Sequence, residues 1–185
     1  TALYYRRQGK LDESLALLQA VARQEPQQPM WQIELGNTML EKKDISGALG
    51  YYQAAALMDQ KNPTYWTMLA EFCAAHDVAV REVGLNAARQ AVTLAPEDPA
   101  ALDAMGQVMA GLGDFSSAER FFTQSLTANP NDAQAHLHLA QLLIRMEEMP
   151  RAHEHLAQAF QNAAETSDTR VIAQRLLERL FGAAP

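Results

Sequence analysis

An all-α solenoid of antiparallel helix pairs is the fold this sequence predicts, and three observations predict it. The first is a recurrence: Leu35-Gly36, Leu69-Ala70, Met105-Gly106 and Leu139-Ala140 repeat one step, and the small residues Ser14, Ala48, Gly84, Ala118 and Ala152 follow at intervals of 34, 36, 34 and 34. A fixed period of that length marks stacked supersecondary units that bury their faces on one another. Composition is the second, with 48% apolar residues, only 7% aromatic ones and few β-branched runs to favour strands. Third, polar caps and prolines break the chain twice per period into segments of helical length.

The elements follow in order, and the whole chain, 1–185, reads as a single domain. Counting back from Ser14, residues 1–28 form an incomplete unit in which Thr1 falls partway along a first helix, with Tyr4 and Tyr5 on its packing side. The chain is therefore expected to begin inside a repeat and to be a piece of a longer protein. In the unit 29–62, Trp31, Ile33, Leu35, Met39 and Leu40 mark the apolar side of a first helix. Lys43-Asp44-Ile45-Ser46 makes the turn, and Ala48, Leu49, Tyr52, Ala55 and Ala56 mark a second helix. Gly36 and Ala48 stay small where the two axes come closest, with bulk at Leu35 and Tyr52 on either side.

The unit 63–98 is two residues longer than the others. Its excess lies near His76-Asp77-Val78-Ala79, which predicts a protruding loop or a helix with part of a turn added. Units 99–132 and 133–166 return to the shorter period. Helix entries are read at Asn62-Pro63 and Asp98-Pro99, and inner-turn caps at Asp12, Ser46 and Ser116, the last forming a capping box with Glu119. Exits fall at Pro26, Pro96 and Pro130, with Gln60 where a further proline would stand. A final helix, 168–182, carries Val171, Ile172, Leu176, Leu177, Leu180 and Phe181 as one stripe. Arg170, Arg175, Glu178 and Arg179 lie away from it, as suits a helix that closes a repeat array.

These positions resemble the tetratricopeptide repeat (TPR), whose pattern is a large apolar residue, Leu-Gly, an aromatic, then Ala, a large apolar residue, Ala and Pro. The unit from Pro99 supplies Leu102, Met105-Gly106, Met109, Phe115, Ala118, Phe122, Ser125 and Pro130. The unit from Ala133 supplies His136, Leu139-Ala140, Leu143, Met149, Ala152, Leu156 and Ala159, and that from Pro63 supplies Trp66, Leu69-Ala70, Cys73, Gly84, Ala88, Ala91 and Pro96. The resemblance covers nearly the whole chain. It implies a right-handed superhelical solenoid of about four and a half TPR units plus a C-terminal capping helix.

Charge and motifs narrow the function. A net charge of −7, from 15 Lys and Arg against 22 Asp and Glu, repels a polyphosphate, so no nucleic acid is expected as partner. Apolar runs are far short of a membrane span and no helix has a basic amphipathic face, so no membrane contact by this segment is expected. The segment reads as soluble, with the cytoplasm favoured slightly over the periplasm and the compartment otherwise open. The lone Cys73 excludes an internal disulfide and falls on a buried face. No phosphate loop, nucleophile elbow or metalloprotease helix is present, so neither an enzyme nor a cofactor is expected. The pairs His136/His138 and His153/His155 place their rings about 200° apart on a helix, so neither pair chelates a metal by itself, and His136 alone falls at a core position. Trp31, Trp66, Met39, Met105 and Met109 read as core packing.

A repeat array presents its first helices on the concave side, so the sides of those helices turned away from the paired helix are the candidate contacts: Arg6 and Arg7, then Glu34, Asn37 and Glu41, then Thr67 and Glu71, then Asp103 and Gln107, then His138, Gln141 and Arg145. This line is polar, rich in amides and acidic at its middle. Relatives that grip a C-terminal carboxylate use a Lys, Arg and Asn set, of which only Asn37 has a matching place here. Thr67, Met68, Asp103 and Ala104 occupy the rest, which rejects a carboxylate clamp. The expected function is a non-catalytic scaffold that binds a protein or peptide of some basic character. The alternative is a substrate-recruiting or regulatory domain of a larger enzyme or assembly machine, and self-association through an open N-terminal edge is a third expectation.

Overall fold

The computed structural model describes residues 2–182, all helix and turn, and divides between Leu94 and Ala95 into two compact units. The first holds α1 (Ala2–Arg7), α2 (Leu11–Gln24), α3 (Pro29–Glu41), α4 (Ile45–Met58), α5 (Pro63–Ala75), a π-helical turn (Val80–Gly84) and α6 (Leu85–Leu94). The second holds α7 (Pro99–Gly111), α8 (Phe115–Ala128), α9 (Ala133–Arg145), α10 (Met149–Asn162) and α11 (Asp168–Phe181). Within each unit, consecutive helices pair and successive pairs stack, with α7 and α9 side by side in the second.

Helix entry is chemical. Asn62, Asp98 and Asp132 accept hydrogen bonds from the backbone N–H groups of Thr64, Ala100 and Gln134 at 3.1, 3.2 and 2.9 Å, each saturating a donor that the first turn leaves orphaned. The inner turns differ from expectation: the caps are Asp44, accepting from Gly47 N at 2.8 Å, and Asp114, accepting from Ser117 N at 3.1 Å. Ser46 and Ser116 lie inside the helices, and Glu119 pairs with Arg151 instead of closing a capping box. A carboxylate placed just ahead of the helix is the better acceptor and also meets the positive end of the dipole. Asp12 sits in the first turn of α2 and pairs with Lys42, leaving the cap position to Lys10.

Each inner turn needs one left-handed residue, and the repeat shows in the backbone itself: Gly9, Lys43, Asp77, Gly113 and Glu147 have φ of 71°, 64°, 49°, 81° and 63°. The two extra residues of the third unit are absorbed just after Asp77. Ala79 is also left-handed, and Gly84 N donates to Ala79 O at 3.1 Å, five residues back, so the helix gains a widened turn. Buried Val80 pins that turn to the core.

The small positions Ser14, Ala48, Ala118 and Ala152 have no exposed surface, and Gly84 is buried. What faces Gly36 and Gly106 is an aromatic ring of the second helix. A Cβ on Gly36 would lie 2.9 Å from the Tyr52 ring, and one on Gly106 would lie 2.6 Å from Phe122. In the second unit, Phe122 packs with Ala118, Leu139, Leu142, Leu143 and Ala152 between successive pairs. Leu137, Ala140, Leu156 and Ala159 receive Ala173 and Leu177 of α11. Trp31 and Trp66 are half-buried and donate to Glu25 and to the Gln60 carbonyl, tying each pair to the turn before it. Cys73 is fully buried, which pushes its thiol up to about 11.

Three further expectations are corrected. Tyr4 is 63% exposed while Tyr5 is half-buried, because neighbouring residues point about 100° apart and cannot share one packing face. On α11 the seam is Ala173 and Leu177, while Val171 and Ile172 face outward at 39% exposure each. Arg170 lies inward: its guanidinium donates to the carbonyls of Phe160 and Ala163 and stacks 3.9 Å from the Phe160 ring, so it caps the end of α10. His138, His153 and His155 are half-buried. His136 Nε2 donates to the Pro130 carbonyl at 3.0 Å, which leaves its Nδ1 to accept from His155 Nδ1 at 2.9 Å. Burial holds His155 below the ordinary histidine value, helped by His136 and Arg151 and opposed by Glu154 and Glu119.

Four outcomes follow for stability. Gly106→Ala should destabilise by about 1–3 kcal/mol in urea denaturation, because the ring cannot retreat from a packed core. Gly50→Ala, where an added Cβ meets nothing within 4 Å, should stabilise by about 0.5–1 kcal/mol, and Lys43→Gly should stabilise by up to about 1 kcal/mol by relieving the left-handed strain. Because His155 in the folded chain binds its proton less readily than in the unfolded chain, stability should be full above the ordinary value of 6.5 and fall as pH drops below it. The thermal midpoint should therefore decline from neutral pH to about pH 5, with a shallower slope in His155→Gln.

Candidate functional site

The candidate contact residues lie on the first helices of the pairs, and each unit organises its own set. In the first unit, α1 and α3 are joined by Arg6, whose Nη1 donates to Glu34 Oε2 at 2.7 Å and whose Nε lies 3.2 Å from Glu41 Oε1. Arg6 and Glu34 side chains are only 17% and 20% exposed, so this is a partly desolvated pair bridging two repeats. Asn37, one turn beyond Ile33, accepts a 2.6 Å hydrogen bond from the Tyr52 hydroxyl of α4. Tyr52 in turn stacks on Phe72 of α5, with centroids 4.6 Å apart, and Phe72 meets His76 at 4.9 Å. Burial raises the Tyr52 hydroxyl above its ordinary value, and the negative charges of Glu34 and then Glu71 raise it further, against Arg6.

Thr67 and Glu71 stand one turn apart on α5. Thr67 is buried at 5% exposure and its Oγ1 has no hydrogen-bond partner, while Glu71 is half-buried. Glu71 lines a depression of about 170 Å³ together with Leu40 of α3, Tyr52 of α4, and Met68, Phe72 and Ala75 of α5. Arg7 is exposed on α1.

In the second unit, Asp103 of α7 is buried at 8% exposure and its Oδ2 accepts from Gln107 Nε2 and from His138 Nδ1 of α9, both at 2.8 Å. Asp103 Oδ1 has no hydrogen-bond partner. The carboxylate thus fixes one face of Gln107 and the orientation of the His138 ring, which tilts over Phe122 at 6.0 Å. Arg145, at the end of α9, lays its guanidinium 4.6 Å from the Phe115 ring and donates to the Ala110 carbonyl at 3.3 Å, the negative end of α7. Gln141 is exposed between them.

The structure therefore brings together Arg6, Glu34 and Glu41, sets Asn37 against Tyr52, and joins Asp103, Gln107 and His138. Thr67 and Asp103, expected on the outward side, are buried at 5% and 8% exposure, and Asp103 holds Gln107 and His138. Tyr52, read in the sequence as bulk between the paired helices, borders the face as well, beside Met68 and Phe72. Its sequence signal is the aromatic at the second-helix position, which says that a ring packs on Gly36 but not that its hydroxyl emerges beside Asn37. Among the described residues, no group of three His, Cys, Asp or Glu is placed to hold a metal, and no helix is long and apolar enough to cross a membrane.

Known proteins agree on the fold. The family model described as tetratricopeptide repeat matches residues 5–72 and 109–180. Among solved structures, TTC0263, a thermophilic TPR protein of Thermus thermophilus, is 23% identical, with 95% of each chain covered and a TM-score of 0.74. PilF of Pseudomonas aeruginosa is 19% identical over 97% of this chain and 88% of its own, with a TM-score of 0.69. YrrB, a TPR protein with an unusual peptide-binding site, is 19% identical over 95% of this chain and 89% of its own, with a TM-score of 0.59. No curated protein matches the chain. With the family model spanning most of the sequence and the helix pairs, left-handed turns and small contact residues recurring as that repeat requires, the chain belongs to the tetratricopeptide repeat family.

Proposed function

We propose that the protein is a non-catalytic interaction scaffold that holds a peptide or partner surface on the first-helix faces of its repeats, the concave side in arrays of this kind. The observation that carries this reading is the ordering of polar side chains on those faces. Asn37 is held by Tyr52, Gln107 and His138 by Asp103, and Arg6 by Glu34 and Glu41, all at half-buried positions. Groups held in one rotamer by a neighbour lose little further entropy when a ligand arrives, which favours binding over mere solvation. Amides and carboxylates spaced along a helix face suit the backbone N–H and C=O groups of an extended chain. The family is one of protein-interaction scaffolds, and YrrB among the similar structures has a peptide-binding site.

The test is affinity capture from native lysate with the parent chain, with an Asn37→Ala, Glu71→Ala, Gln141→Ala triple variant, and with an outer-helix control, Arg89→Ala, Gln124→Ala. Circular dichroism first establishes equal helicity. A protein retained by the parent and the control and lost by the triple variant is the expected result. Retention by all three places the binding surface elsewhere and removes the proposal.

A further inference from the structure

We infer that Asp103 is the positioning residue of a hydrogen-bond subsite in the second unit, holding Gln107 so that its amide oxygen Oε1 receives a backbone N–H of the bound chain. This rests on the proposed use of the first-helix faces and adds the chemistry that one of them selects. Asp103 occupies a core place. Ile33, Thr67 and Leu137 stand at the same point of the period, two residues before Leu35, Leu69 and Leu139. Ile33 and Leu137 fill that point with apolar side chains at 1% and 4% exposure. In the third full period a carboxylate is buried there instead, and its Oδ1 accepts no hydrogen bond. Taking a charge out of water and leaving one of its oxygens unpaired opposes folding, so packing does not account for an aspartate at this point.

Its other oxygen accounts for it. Oδ2 accepts from Gln107 Nε2, one turn on along α7, and from His138 Nδ1 of α9, both at 2.8 Å. A solvated glutamine turns about its last bond and offers a ligand either its oxygen or its nitrogen. With Nε2 drawn to the carboxylate, Oε1 is turned from it, because two oxygens repel. Gln107 makes no other hydrogen bond among the described residues, and Oε1 is not among the buried unpaired atoms. An oxygen fixed in this way is complemented by an N–H, and a ligand carbonyl placed there would meet oxygen with oxygen. The equivalent position of the first unit is Asn37, and it is set the other way: its Oδ1 takes the Tyr52 hydroxyl, which leaves Nδ2 to donate. Backbone N–H and C=O groups of an extended chain are the partners of two such amides. Holding Gln107 in one orientation before the ligand arrives lowers the entropy lost on binding, and enzymes and binding proteins give up stability at such places.

The experiment selects displayed random peptides on the immobilised full chain and measures the synthesised winners by titration calorimetry. Gln107→Met removes the acceptor at similar length, Asp103→Leu installs the residue of the next repeat, and Asp103→Asn keeps a carbonyl oxygen for Gln107 and His138. Asn37→Ala reads the first-helix face of the other unit. Kd should rise about tenfold or more on Gln107→Met and on Asp103→Leu, and the double variant should bind no worse than either alone, because both remove one interaction. Asp103→Asn should stay within about threefold of the parent. The thermal midpoint of Asp103→Leu should hold or rise, where a carboxylate that served only the fold would lower it. On the peptide side, backbone amides of a winner are replaced by esters one at a time, each removing one N–H. One such ester should weaken binding to the parent and make no further difference to Gln107→Met, a result that needs no Asp103 variant to fold. A lower midpoint in Asp103→Leu, or affinity lost there and kept in Gln107→Met, makes Asp103 structural and overturns the inference. Winners that weaken on Asn37→Ala yet ignore Gln107→Met and every ester overturn the subsite and leave the first-helix face standing. An absence of winners, or winners indifferent to all of these changes, overturns both.

Discussion

Everything in this chain hangs on how closely two helices of a pair can approach. Gly36 lies against the Tyr52 ring and Gly106 against the Phe122 ring at distances that admit no Cβ. The equivalent pairs, by register, are Ala70 with Ala88 and Ala140 with Leu156. Where the second helix offers an aromatic, the first helix yields a methyl group, and where it offers something smaller the methyl returns. Volume is conserved across the contact, as close-packed interiors require. The contact also fixes the rotation of each first helix, and so decides which of its residues meet the partner helix and which form the outward face.

That rotation has chemical consequences. Asn37 follows Gly36 directly, so the ring that packs on the glycine delivers its hydroxyl to the asparagine. Gln107 follows Gly106 in the same way, but Phe122 has no hydroxyl, and Gln107 is held instead by Asp103 on its own helix. Two repeats thus solve one problem with different groups. A half-buried polar side chain must find a partner or lose the hydrogen bonds that water supplied, and here it finds the nearest one the pair geometry offers. Arg6 with Glu34 and Glu41, and His138 with Asp103, extend this across neighbouring repeats, coupling the stacking of pairs to the order of their shared face.

The lengthened third unit shows where such an array can absorb change. Its two extra residues do not disturb α5, which keeps the thirteen-residue length of α3, α7 and α9. They are taken up after the left-handed Asp77, by a second left-handed residue and one π-helical turn, and Gly84 still arrives at the buried contact. A π-turn accommodates an inserted residue without breaking the helix that follows. The face built by α3 and α5 is therefore insulated from the insertion behind it.

The sequence by itself determined the period, the Asn62 and Asp98 caps ahead of proline, the small contact positions and the family, because each is written in neighbours within a turn or in a repeat that can be counted. It also offered candidate residues on the first helices, of which the structure buries Thr67 and Asp103. Tertiary structure alone decided what those residues do to one another. Arg6 and Glu34 are 28 residues apart, Asp103 and His138 are 35 apart, and His136 and His155 are 19 apart, so no local pattern joins them. Helix rotation decided the rest: on α11 the apolar stripe admitted several seams, and packing chose Ala173 and Leu177 over Val171 and Ile172 because the smaller side chain lets the closing helix sit nearer to Leu137, Ala140 and Leu156. A periodic sequence states which residues share a face. Only the distance between two helix axes, set by a ring against a glycine, states which of them touch.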